Sequence, residues 1–184
     1  MSARAVLFGV LIAGALVTRT AQAQRIGEFS LRGGTATATP ASDSVVGGTG
    51  PSVEASFGTR FGSFVVLLEA GYLGVSSDRH VWRYGVGARY ELGRGPWRPY
   101  LVGGLGGYDD TGRRLENIEG VVFTSDLSWF GINAGLGVRR AFEHSPFSLL
   151  AESRLHVRMQ EAYPEMGAIG LELVTVLVGG TVSW

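Results

Sequence analysis

The sequence predicts an all-β chain, an eight-stranded antiparallel up-and-down transmembrane β-barrel. Three observations carry that reading. Apolar and polar residues alternate with period two in eight segments of about ten residues, each bounded by Gly, Pro, Asp or Ser. The connections after the second, fourth and sixth segments are short, and most of the others are long and polar. An exportable leader precedes them.

That leader is read first. Met1 to Arg4 is a short basic start, Ala5 to Val17 is apolar, and Ala21-Gln22-Ala23 forms a small-x-small cleavage site. The layout is that of a secretory signal peptide over 1–23, with a barrel domain over 24–184. The apolar run is too short to span a bilayer as a helix, and Arg19 prevents its extension.

Strands are expected near 28–38, 51–60, 63–75, 80–92, 98–108, 126–140, 146–158 and 170–184. Arg60-Phe61-Gly62, Gly93 to Trp97 and Ala141 to Ser145 supply the short turns. Thr39–Gly50, Asp109–Ser125 and Met159–Ile169 supply long polar loops, whereas Ser76 to Arg79 is a short exit. Short turns on one rim and long loops on the other suit a membrane barrel.

The two faces of each strand differ sharply. Trp82, Tyr84, Val86, Ala88, Tyr90 and Leu92 oppose Arg83, Gly85, Gly87, Arg89 and Glu91. Phe147, Leu149, Ala151, Leu155 and Val157 oppose a face carrying Glu152, Arg154, His156 and Arg158. Alternation alone does not say which face points inward, because a soluble barrel alternates too. Two features favour an apolar exterior. The polar faces mix long charged residues with Gly, which suits a narrow interior. Phe64 and Tyr72, like Trp82 and Tyr90, stand eight residues apart on one face, about 20 Å of depth at ~3.3 Å per residue and a 40° tilt.

The interior charges are therefore expected to be Arg32, Glu54, Glu69, Arg83, Arg89, Glu91, Glu152, Arg154, His156 and Arg158. An eight-stranded barrel is just wide enough for side chains to fill it, so these groups should pair and close the lumen. A porin-sized channel is not available at this strand number.

Composition excludes other chemistry. All sixteen basic residues are Arg, and Cys is absent. That removes Lys-dependent phosphate loops and Schiff bases, thiolate catalysis and Cys metal sites. A formal charge of zero gives no general pull toward nucleic acid. The glycine clusters at Gly85–Gly87, Gly103–Gly107 and Gly135–Gly137 do not complete G-x-G-x-x-G. His144-Ser145 adjoins Pro146 in a short turn, a poor place for a base and its nucleophile. Arg154 lies between Glu152 and His156 on one face and disfavours a metal there. No cofactor, metal or catalytic set is expected. His80 should sit solvated or in a surface ion pair, and the carboxylates of the 109–125 loop should be solvated. Val121, Val122 and Phe123 leave open an extension of the barrel wall, whose edge could receive a partner strand.

Trp97-Arg98-Pro99-Tyr100-Leu101-Val102-Gly103-Gly104-Leu105-Gly106 and the terminal Val182-Ser183-Trp184 resemble the small eight-stranded outer-membrane barrels of the OmpA-like and OmpX-like group. The resemblance extends over the expected mature chain. It implies residence in the outer membrane of a Gram-negative cell envelope, contact with outer-membrane lipid, and recognition of Trp184 by the barrel-assembly machinery, although Phe is the usual last residue. It does not extend to a peptidoglycan-binding domain, so anchoring by that route is not expected. The group includes adhesins, anchors and lipid-A enzymes, so the scaffold does not name an activity. The first reading is a non-enzymatic barrel whose loops 39–50, 109–125 and 159–169 meet an extracellular partner. The alternatives are an outer-membrane enzyme acting on lipid A or peptides, and a soluble secreted barrel binding an apolar ligand.

Overall fold

In the computed structural model, residues 27–39, 48–116, 122–159 and 170–184 are described. The expected signal peptide and parts of the three expected loops (40–47, 117–121 and 160–169) lie outside them.

Eight antiparallel strands close a barrel in sequential order: β1 (Gly27–Ala38), β2 (Gly48–Phe61), β3 (Phe64–Gly74), β4 (His80–Glu91), β5 (Trp97–Glu116), β6 (Val122–Ala141), β7 (Phe147–Met159) and β8 (Gly170–Ser183). The seam joins β1 to β8, with Phe29 opposite Val182 and Thr35 opposite Val176. Gly27 and Trp184 exchange backbone hydrogen bonds of 3.1 and 3.0 Å, so both described ends meet on the rim of the short turns. Closure removes every sheet edge along the common height of the wall.

One rim holds tight connections. Gly62 turns β2 into β3 at φ 64°, a left-handed conformation that glycine adopts without a Cβ clash. The β4–β5 turn is tied to the end of β6 by Ala141 N donating to Pro96 O at 2.8 Å.

The expected 109–125 loop is corrected by the structure. β5 and β6 run on past the wall, pairing Arg113 with Ser125 and Glu116 with Val122. A register shift between Asp110 and Arg113 marks a bulge, where Gly112 takes φ 76° and its N–H donates to Asp126 Oδ1 at 3.0 Å. Polar composition predicted a loop, but cross-strand pairing satisfies this backbone whatever the side chains are. The 39–50 loop is likewise shorter at its end, because Gly48–Gly50 pair with Ala36–Ala38.

The polarity of the wall runs opposite to that of a soluble barrel. Leu136 is 65% exposed and Val178 62%, whereas Arg154 and His156 are fully buried. Aromatics ring the exterior near the turns (Phe57, Phe64, Tyr90, Trp97, Phe147 and Trp184), and Tyr72, Trp82, Tyr84 and Phe130 stand nearer the other rim. Phe64 pairs with Tyr90 and Tyr72 with Trp82, so the aromatic spacing of two strands is in step across the sheet.

Candidate functional site: the filled lumen and the loop-rim hairpin

Period-two alternation sends every second side chain inward, and barrel closure brings those side chains face to face across the lumen. Where a long side chain crosses, glycine opens room for it. A Cβ at Gly137 would lie 2.4 Å from the Tyr100 ring, and one at Gly71 would lie 2.6 Å from Glu54 Cγ. The mixture of Gly with Arg and Glu on one face thus acquires a direct steric cause.

The middle tier holds three arginines and three glutamates from five strands. Arg154 grips Glu69 through Nη2–Oε1 at 2.7 Å and Nη1–Oε2 at 2.8 Å. Its Nε donates to Glu152 Oε1 at 2.5 Å. Arg83 donates to Glu54 at 2.8 Å and also to Glu69. Arg32 donates to Glu152 at 2.9 Å and to Glu69 at 3.4 Å. Tyr100 Oη donates to Glu152 Oε2 at 3.0 Å, and Asn133 Oδ1 accepts from Arg154 at 3.2 Å. Every member is buried, and the formal charges cancel. Such a set is tolerated away from water only when each charge has a partner.

The second tier, near the turns, is differently composed. Glu91 accepts from Arg60 at 2.7 and 2.9 Å, from Arg139 at 2.9 Å, and from Arg89 and Arg98 at 3.3 Å each. Glu28 accepts from Arg89 at 2.6 and 2.8 Å and from Arg60 at 3.1 Å. Four arginines therefore share two carboxylates. Val65, Leu67, Tyr100 and Val102 form a buried apolar cluster on the lumen face.

Toward the other rim the lumen turns apolar, with Ala36, Ala38, Leu73, Val75, Val81 and Leu173 packed around Tyr108 and Trp129. These two rings stack in parallel with centroids 3.9 Å apart. Arg79 and Asp110 form a buried bidentate pair beside them, with bonds of 2.9 and 2.6 Å. Asp110 is therefore not the solvated loop carboxylate that its surroundings in sequence predicted. His80 stands half-buried against Tyr72, its ring stacked at 5.6 Å.

The ten interior residues expected from alternation distribute unevenly. Arg32, Glu54, Glu69, Arg83, Glu152 and Arg154 meet in the middle tier, and Arg89 and Glu91 in the turn tier. His156 is buried but joins no carboxylate: Nδ1 pairs with Tyr108 Oη at 2.9 Å and Nε2 with Thr175 Oγ1 at 3.2 Å. Arg158 is half-buried near the end of β7, opposite Gly170 at the start of β8 and away from the middle tier. Sequence reasoning missed Glu28, Arg60, Arg98 and Arg139 as members of the turn tier. Arg139 stood on the polar face of β6 and was legible; Arg60 and Arg98 border turns, where alternation loses its meaning. His144 lies on an exposed turn, and Ser145 Oγ accepts from Phe147 N at 3.1 Å.

No protein-family model matches the chain, and no curated protein matches it. Solved structures do. The neisserial surface protein A (NspA) superposes with a TM-score of 0.65 at 17% identity, covering 86% of this chain and 97% of that one. The N-terminal β-barrel domain of Pseudomonas aeruginosa OprF superposes with a TM-score of 0.59 at 15% identity, again covering 86% and 97%. Together with the closed barrel and its sequential strand order, these likenesses establish that the chain has the fold of the small, OmpA-like eight-stranded outer-membrane barrels.

Proposed function

We propose that this protein is an integral outer-membrane barrel with a filled, non-conducting interior and a non-catalytic role exercised at its loop rim. The observation that carries the reading is the inverted polarity: an apolar band of exposed side chains outside, and paired arginines and glutamates inside. Exposed apolar area on that scale costs too much in water, at about 25 cal/mol per Å², and is favourable in lipid. A soluble apolar-ligand carrier would need the reverse arrangement, so that alternative loses its basis.

Orientation follows from the connections. Short turns and the two described chain ends mark the periplasmic rim, and the β5–β6 hairpin rises from the external one. Residues 1–23 serve as the export signal, and Trp184, exposed beside Phe57 at 5.8 Å, serves as the terminal assembly signal. The enzymatic alternative lacks support among the described residues: His156 is committed to two hydroxyls inside the wall, and His144 sits at the opposite rim from the outer leaflet. The loop-rim hairpin is the feature best suited to a binding role, because its paired backbone continues beyond the wall.

The test is fractionation followed by electrophoresis of unheated and boiled samples in detergent. The expected result is a band in the outer-membrane fraction that migrates faster unheated. A protein dispersed in buffer with unchanged migration overturns the reading.

A further inference from the structure

Charge is unequally shared along the barrel. The turn rim carries Arg60, Arg89, Arg94, Arg98, Arg139 and Arg140 against Glu28, Glu91 and Glu143. The two lumen carboxylates are already divided among four arginines. Arg94 and Arg140 remain outside, both exposed, and neither reaches a carboxylate among the described residues.

Arg140 is not loosely placed. It stands on the outer face of β6, opposite Trp97 in the β5–β6 register. Its guanidinium lies 5.1 Å from the centroid of Trp97 and 5.5 Å from that of Phe142, within cation–π range of both rings. Both rings are exposed, Trp97 in the aromatic belt near the turns and Phe142 in the turn just past the end of β6. Arg94 occupies the turn leading into Trp97, and the Ala141–Pro96 hydrogen bond holds that turn against the strand end bearing Arg140.

A cation fixed at the level of an interfacial aromatic belt faces headgroups rather than acyl chains. The planar guanidinium fork matches phosphate oxygens two at a time. With six arginines against three glutamates, the rim is cationic, so it repels the ammonium of a zwitterionic headgroup and favours a headgroup with net negative charge. We infer that Arg140, seated on Trp97 and Phe142, and Arg94 in the adjoining turn bind the phosphate of an anionic phospholipid in the leaflet surrounding the turn rim. The inference rests on the membrane reading above.

The test uses the purified, folded barrel in maltoside micelles, titrated separately with phosphatidylglycerol, phosphatidylcholine and lipid A, with bound lipid counted by native mass spectrometry. Wild type should prefer phosphatidylglycerol over phosphatidylcholine about tenfold. The Arg94→Gln/Arg140→Gln variant should lose that preference and the corresponding Lys variant should keep most of it, while both still migrate faster unheated. Equal retention by the Gln variant, or no preference in wild type, overturns the site. A preference for lipid A that vanishes in the Gln variant assigns the arginines to the other leaflet's lipid and overturns the phospholipid. A wild-type protein without a heat-dependent shift instead defeats the membrane reading, a separate failure.

Discussion

The two charged tiers of the lumen are made from the same residue types, yet they obey different rules. In the middle tier three arginines meet three glutamates, with no net charge and no access to solvent. In the turn tier four arginines share two glutamates, and the surplus is carried by side chains near the opening: Arg60 is 13% exposed and Arg98 29%. Burial sets the stoichiometry. Deep in the wall an unmatched guanidinium faces a desolvation penalty of several kcal/mol, whereas at the rim water absorbs the excess.

The comparison predicts a gradient of mutational effects. Glu69 is held by Arg32, Arg83 and Arg154, so Glu69→Ala strips partners from three buried cations at once. It should destabilise the barrel by about 3–5 kcal/mol in a detergent-unfolding series, whereas Val176→Ala on the exposed outer face should cost below about 1 kcal/mol. Equal or reversed losses would break the picture of a paired interior. Glu91→Ala removes the carboxylate that four arginines share, but two of those can turn toward water. An intermediate loss of about 2 kcal/mol is expected, and salt should reduce the difference from wild type. If its loss matched that of Glu69→Ala, solvent access would not be what separates the tiers. The smallest effect belongs to Arg98→Gln. Its 3.3 Å contact with Glu91 is part-exposed, so a change below about 1 kcal/mol should appear in the same unfolding assay.

Much of this molecule was legible in one dimension, and the parts that were not share a cause. Alternation in β4 separates Arg83 from Trp82 and Tyr84 whatever the rest of the chain does, because successive strand side chains point to opposite faces. The same rule put Glu152, Arg154 and His156 on one face of β7. It could not tell that Glu152 and Arg154 would enter an ion network while His156 would find Tyr108 and Thr175. Nor could it separate Asp110, buried against Arg79, from the polar residues around it. Composition misread the hairpin rising above the wall for a similar reason: pairing between β5 and β6 depends on the neighbour, not on the polarity of Asp109–Ser125.

By itself, then, the sequence determined the number of strands and the two faces of each, which depend only on local period and chain order. The direction of the apolar face was legible only through the mixing of Gly with long charged residues and the spacing of the aromatics. Tertiary structure decided which arginine meets which glutamate, how the charges divide into a neutral tier and a cationic one, and where Arg140 rests against Trp97 and Phe142. Those depend on register and closure, which bring together residues as distant as Glu69 and Arg154 across a lumen that no single strand encodes.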